Sequence, residues 1–419
     1  MQHKKSAPHT PPLSGRSPGG GTAYALTGRR QALLATLLWG SGMGPLAAWA
    51  TATAPQVATA HRAVPHQLAH TRVATAWRKT LPDGKHQDHV GVLRLDWANR
   101  RVVAESSQAV RKRAHGLLAD TSGGFLAVDS RPGDTLMRFD ADGQLAQTVS
   151  LADEEPRRTL GGHISLSADG AWAYTAETDV ATGQGWLSVR DARTLKRVAA
   201  WPTGGLDPHH HLLTPGGHLV IANGGIPRDA KGNKRDLDRM DPSLALMDTR
   251  SGKLLNQWRL SDPRLSLRHM AWAHPVAGEP MAQPLLGIGL QAEHDEPSLR
   301  RSAPVLAVWD GERLTLPTRS DLAGGYAGDI AAGPGGSFVL SGQRVGRNAL
   351  WHPDDRTGLM TLAELVETCA LATWVPDGGG VGVLMGAGLA VARWHPQHGA
   401  VVLPVPQGMV LDNHWIVLS

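Results

Sequence analysis

The stretch HGLLADTSGGFLAVDSRPGDTLMRFDADGQLAQTVSL, His115 to Leu151, decides the fold. Four short runs rich in Leu, Val, Ala, Phe and Met are separated by turns and loops that carry Gly, Asp and Pro. Runs of this length between such residues read as strands joined by hairpin turns. Self-similarity at a fixed period settles an architecture before any single motif does, so the pattern must be followed outward.

It returns five times, from His163 to Trp201, His210 to Leu260, His269 to Leu316, Asp329 to Leu362 and Leu371 to Val405. Units of four strands and roughly 35 to 55 residues are the signature of a β-propeller. The two ends complete a seventh unit. RVATAW, HVGVLRLDWANR and RVVAES, between Arg72 and Ser106, supply three strands, and HWIVLS, His414 to Ser419, supplies one. The expected fold is all-β: a seven-bladed β-propeller over residues 72–419, of the WD40, YVTN or quinoprotein-dehydrogenase-like kind. Its ring is closed by the C-terminal strand joining the N-terminal blade, which removes the open edges of a first and last blade. A β-sandwich or a two-domain β protein would not explain why each terminus holds a complementary fraction of one repeat.

Ahead of the repeats, Thr27-Gly28-Arg29-Arg30 and the apolar stretch ending at Ala48-Trp49-Ala50 predict a twin-arginine signal peptide over residues 1–50, cleaved after its small-x-small ending. Residues 51–71 read as a flexible linker rich in Pro and Ala, and the expected location is the periplasm. The apolar stretch of the leader is too short and too rich in Gly and Ala for an anchor, and no later apolar run is long enough to cross a bilayer. All five charged residues of the leader are positive, so the formal net charge of +5 falls to zero without it, and nothing points to nucleic acid. The single cysteine, Cys369, cannot bridge within the chain, so stability must come from a packed core.

Aligned on their first strands, six blades begin with His115, His163, His210, His269, Asp329 and His414, while the seventh has Leu371 there and Cys369 two residues earlier. First strands are innermost in a propeller, so these stations should ring one mouth of the central channel. Neutral imidazole is a good ligand for Zn, Cu, Fe or Ni, and crowded imidazoles depress one another's pKa unless a cation, carboxylate or anion shares the site. The six are therefore candidate metal ligands, for an iron or copper ion. The ends of second strands bring Glu177, Asp179, Glu293, His294 and Asp295 as outer ligands or orienting partners, and Arg344 as a holder of anions. The competing reading is structural, with each station hydrogen-bonding neighbouring blades together. No C-x-x-C, H-E-x-x-H, Ser-His-Asp elbow or phosphate-cradling glycine loop is present.

With its twin-arginine leader, the chain resembles an exported bacterial propeller family known only as domain-of-unknown-function family 1513. GGHISLSADG, DPHHHLLTPGGHLVIANGG, YAGDIAAGPGGSFVLSGQ and LDNHWIVLS carry the resemblance, which extends from Val73 to Ser419. It implies iron-linked physiology, with imelysin-like and haem peroxidase-like proteins of periplasmic iron uptake as partners, because members are often encoded beside them. The general fold also resembles the propellers of quinoprotein dehydrogenases and of nitrous-oxide reductase, the latter holding copper with channel-mouth histidines. The additional copper-binding domain of that reductase is missing here, so its reaction is not carried over. Three functions stand in order. The first is a metal-binding accessory protein, and the second a metallo-oxidoreductase using the same ring, which would need an open coordination position and an electron partner. The third is a non-catalytic interaction scaffold working through Pro227–Asp241 and Glu293–Ala303.

Overall fold

The computed structural model describes residues 69–418 except 230, 276–283, 318–322, 356–357 and 377–378. The expected signal peptide and most of the expected linker lie outside the described residues. Seven antiparallel sheets follow one another along the chain, six of them built in sequence order. The exception is blade 1. Its inner strand is the C-terminal Met409–Leu418, hydrogen-bonded to His70–Thr80, which is followed outward by His86–Asp96 and Arg101–Ala104. Ile416 pairs with Ala74 and Trp415 with Thr75, so the two ends of the chain close the ring as the repeat arithmetic requires. The first strand opens at His70, two residues ahead of the expected boundary.

The inner strands of blades 2 to 7 are Ala114–Ala119, Arg158–Leu166, Pro208–Leu213, Leu265–Trp272, Ile330–Ala332 and Thr368–Trp374. Apolar side chains collect in the seams between blades. At the closing seam, Trp77, Leu93, Trp97 and Trp415 of blade 1 pack on Trp374, Leu384 and Val391 of blade 7. That seam is built like the one where Val220 and Leu244 of blade 4 meet Leu267, Ile288 and Trp309 of blade 5. Each fully buried Leu, Val or Trp is worth about 2 kcal/mol or more, so closure rests on packing as well as on strand pairing. The short helix Pro297–Ser302 decorates blade 5, and no helix among the described residues is long and apolar enough to cross a membrane.

One irregularity prepares the site. In six blades the pairing between the inner strand and its neighbour slips by one or two residues near the same mouth. A β-bulge of this kind takes residues out of the ladder and re-aims their side chains. The slipped residues include His115, His163, His209, His269, Cys369 and His414. Without the bulges, simple alternation would alone decide which side chains point inward.

Candidate metal centre

The bulges bring imidazoles from five blades together. His115, His163, His209 and His269 are all buried, and one nitrogen of each lies within 4.8 Å of those of the other three. His414 completes the group, its ring centroid 4.5 Å from that of His115 and 4.4 Å from that of His269. Glycine makes this approach possible. A Cβ on Gly116 would lie 2.3 Å from the carbonyl oxygen of Gly162, and one on Gly162 would lie 2.6 Å from Cδ2 of His115. Gly162 also holds a φ of 106°, which favours a residue without a side chain.

Hydrogen bonding inside the group is far from complete. Arg131 donates to Nδ1 of His209 at 2.8 Å, which makes that nitrogen an acceptor and puts the ring hydrogen on Nε2. His209 Nε2 then donates to His269 Nε2 at 2.7 Å, leaving the hydrogen of His269 on Nδ1. That nitrogen has no partner. Nor do both nitrogens of His115, Nε2 of His163 and Nε2 of His414, so five buried ring nitrogens of one cluster are unsatisfied. Each buried polar group without a partner costs about 1–3 kcal/mol, and such orphans are uncommon unless a ligand completes them.

Burial holds His115, His163, His209 and His269 well below the usual imidazole range, and neighbouring positive charges press in the same direction. Neutral rings keep lone pairs available for a metal. His414 is oriented differently, through a contact of 3.1 Å between its Nδ1 and Asp329 Oδ2. A carboxylate on the far nitrogen fixes the ring and leaves Nε2 as the ligating atom.

Beside the cluster lies a knot of charge. Asp207, nearly fully buried, takes Arg131 and Arg228 on Oδ1 and Arg268 on Oδ2, the last at 3.1 Å. Burial pushes its carboxyl up, but the three guanidinium groups outweigh burial and hold it below the ordinary carboxylate range. Burial draws Arg131 down to about 9 despite the opposing pull of Asp207.

Of the six candidate ligands read from the sequence, His115, His163, His269 and His414 meet in the cluster. His210 flanks it, with its ring 4.5 Å from that of His163 and its Nδ1 accepting the Met270 N–H at 2.9 Å. His209 takes the inward place instead, while His211 turns into the seam and contacts the Tyr174 carbonyl at 2.9 Å. Asp329 is a tie: it accepts the N–H groups of Ile330 and Leu371 as well as facing His414.

The expected outer residues are engaged elsewhere. Glu177 is fully buried against Arg190, Thr175 and Ser188, and Asp179 caps a turn at Ala181 and Thr182. Glu293 holds Lys234 and Gln291, His294 meets Asp262, and Asp295 meets Arg264 on the exposed rim. Arg344 stacks on the Tyr326 ring. Sequence reasoning missed His209 and the arginines on Asp207. Only the triple histidine signalled the first, and nothing local signalled the others.

The family described as "Protein of unknown function (DUF1513)" matches residues 108–418, a span that includes every histidine of the cluster. No curated protein matches the chain. Solved structures similar to it include a streptogramin B lyase, 10% identical with a TM-score of 0.47, covering 70% of this chain and 83% of that one. The virginiamycin B lyase from Staphylococcus aureus is 11% identical with a TM-score of 0.47, covering 70% and 84%. The Cps50 (Swd1) beta-propeller domain from Myceliophteria thermophila is 11% identical with a TM-score of 0.46, covering 70% and 87%.

Proposed function

The chain belongs to the family described as "Protein of unknown function (DUF1513)", and from that premise we propose that its channel mouth binds a transition-metal ion on the histidine cluster. The observation that carries this reading is the set of five buried, unsatisfied ring nitrogens on His115, His163, His269 and His414. An ion could take one lone pair each from His115, His163 and His414 and so remove much of that cost, whereas a purely structural cluster would keep all of it. The donor set favours metals that take nitrogen. Four close imidazoles with no carboxylate among them suit copper, zinc, iron or nickel, and are a poor match for calcium or magnesium.

His209 and His269 share one hydrogen across 2.7 Å, whereas nitrogens around one tetrahedral ion stand about 3.3 Å apart. Engaging both rings therefore requires them to part and the His209 hydrogen to move from Nε2 to Nδ1, which displaces the Arg131 contact. Within this reading the protein is a periplasmic accessory to iron or copper handling, exported folded by the twin-arginine route. Its partners would be imelysin-like or haem peroxidase-like proteins.

The test is to purify the protein from its native compartment and measure bound metals by mass spectrometry. A near-stoichiometric transition metal is expected, and His163→Ala with His209→Ala should lower affinity by at least 100-fold. Calorimetry in buffers of different ionisation enthalpy should register little proton release on reloading at neutral pH, because the rings are already neutral. Metal-free native protein that also takes up neither copper, zinc nor iron would overturn the reading and leave the scaffold function.

A further inference from the structure

We propose that the same mouth binds a small oxyanion, a phosphate, sulfate or carboxylate group, on Arg131, Arg228 and Arg268. Three guanidinium groups share the single carboxylate of Asp207, so two positive charges of this knot lack a counter-charge. The neighbouring charges do not supply it. Lys234 is paired with Glu293, and Arg113 with Asp412 at 2.6 Å. The imidazoles beside the knot are held neutral, and Arg131 is bonded to one of them.

A surplus of cations this poorly hydrated is costly unless something negative joins it. Arg268 is buried, yet only one of its guanidinium nitrogens meets an acceptor among the described residues. Planar guanidinium forks match the oxygens of phosphate and carboxylate in pairs, which a lysine cluster would not do.

The knot is also assembled from separate parts of the fold. Arg131 comes from blade 2, Arg268 from the inner strand of blade 5, and Arg228 from the Pro227–Asp241 segment of blade 4. That segment turns back at Gly232, packed near Pro132, and its Lys234 reaches Glu293. A Cβ on Gly224 would come within 2.8 Å of Asp207 Oδ2 and 3.0 Å of Arg268 Nη1, so glycine is needed there for the knot to form. Three structural elements converge on an unbalanced charge at the lip of the histidine cluster. The anion would sit beside the proposed metal but does not require it.

The experiment is isothermal titration of the metal-stripped protein with inorganic phosphate and with malonate, at low and high sodium chloride. Both anions should bind, less tightly as salt rises. Arg268→Gln should weaken binding about 10-fold or more, and Arg268→Lys by less because the charge persists. His115→Ala with His163→Ala should keep anion binding while losing metal, which separates this inference from the metal reading. Absence of binding by either anion, binding indifferent to salt, or unchanged affinity in Arg268→Gln and Arg228→Gln would overturn it. Circular dichroism confirms that each variant is folded. Should Arg268→Gln fail to fold, Arg268→Lys and the salt dependence decide.

Discussion

On the side of the mouth formed by blades 1 to 5, five ring nitrogens are buried without partners; on the side of blades 6 and 7, the equivalent positions are fully occupied. There Asp329 accepts two backbone N–H groups and faces His414, and the Cys369 thiol lies 3.3 Å from the Asp412 carbonyl. Both sides bulge their inner strands at the mouth, Cys369 sitting in one such bulge. The same backbone device thus serves two purposes, and what separates them is whether the polar atoms it delivers are satisfied. Satisfied stations tie blades together; the unsatisfied ones are those on which the metal proposal rests.

Acid should break the comparison most strongly. In the unfolded chain these histidines take up protons near pH 6.5, whereas burial keeps His115, His163, His209, His210 and His269 neutral to well below that in the fold. The unfolded state therefore binds more protons as pH falls below about 6.5, and stability is lost in that direction. Each ring that stays neutral contributes a slope of about 1.4 kcal/mol per pH unit, so metal-free protein should lose several kcal/mol between pH 7 and pH 5. Urea midpoints across that range measure it. A flat profile would mean that the histidine side is wet and its nitrogens satisfied by water.

The Asp329 side can be broken next. Asp329→Ala would leave the N–H groups of Ile330 and Leu371 buried without an acceptor and remove the carboxylate from His414. A loss of about 2–4 kcal/mol is expected in chemical denaturation, together with a 10- to 100-fold fall in metal affinity through His414. A large stability loss with metal binding untouched would show that the tie and the cluster are independent.

How much of this was legible follows from the same contrast. Blades, closure and the ring of stations could be read because strand runs and Gly, Asp and Pro turns are local signals that repeat. The inward histidine of the triple could not, since a slip of one residue exchanges the faces of a strand and leaves no mark on composition. Asp207, at a φ of 51°, precedes the bulge in which His209 falls. Its arginine partners lie 76, 21 and 61 residues away, beyond any local pattern. Glu177 looked available for the same reason: Arg190, which occupies it, belongs to the next strand of its own blade.

Gly162 offers a sharper cut at the histidine side alone. Gly162→Ala places a methyl 2.6 Å from the His115 ring and forces a side chain onto a φ of 106°, so about 1–3 kcal/mol should be lost and metal affinity reduced. Gly183→Ala is the control, for Gly183 also has a positive φ of 74° but nothing within 4 Å of a new Cβ. It should cost backbone strain and leave metal binding intact. Equal effects on metal binding in the two variants would argue that global stability, and not the position of His115, governs the cluster.

The smallest effect belongs to Cys369, the thiol of the quiet side. Burial, reinforced by Asp412 and Asp329, pushes its thiol up to about 12, so at neutral pH almost none of it is the thiolate that binds metals and reacts with disulfide reagents. Cys369→Ala should therefore change stability by about 1 kcal/mol, from lost packing, and leave metal stoichiometry unchanged. In the folded wild type the thiol should react with a disulfide reagent only after unfolding by urea. Fast labelling of native protein, or metal lost in the alanine variant, would place Cys369 among the ligands and erase the boundary between the two sides of the mouth.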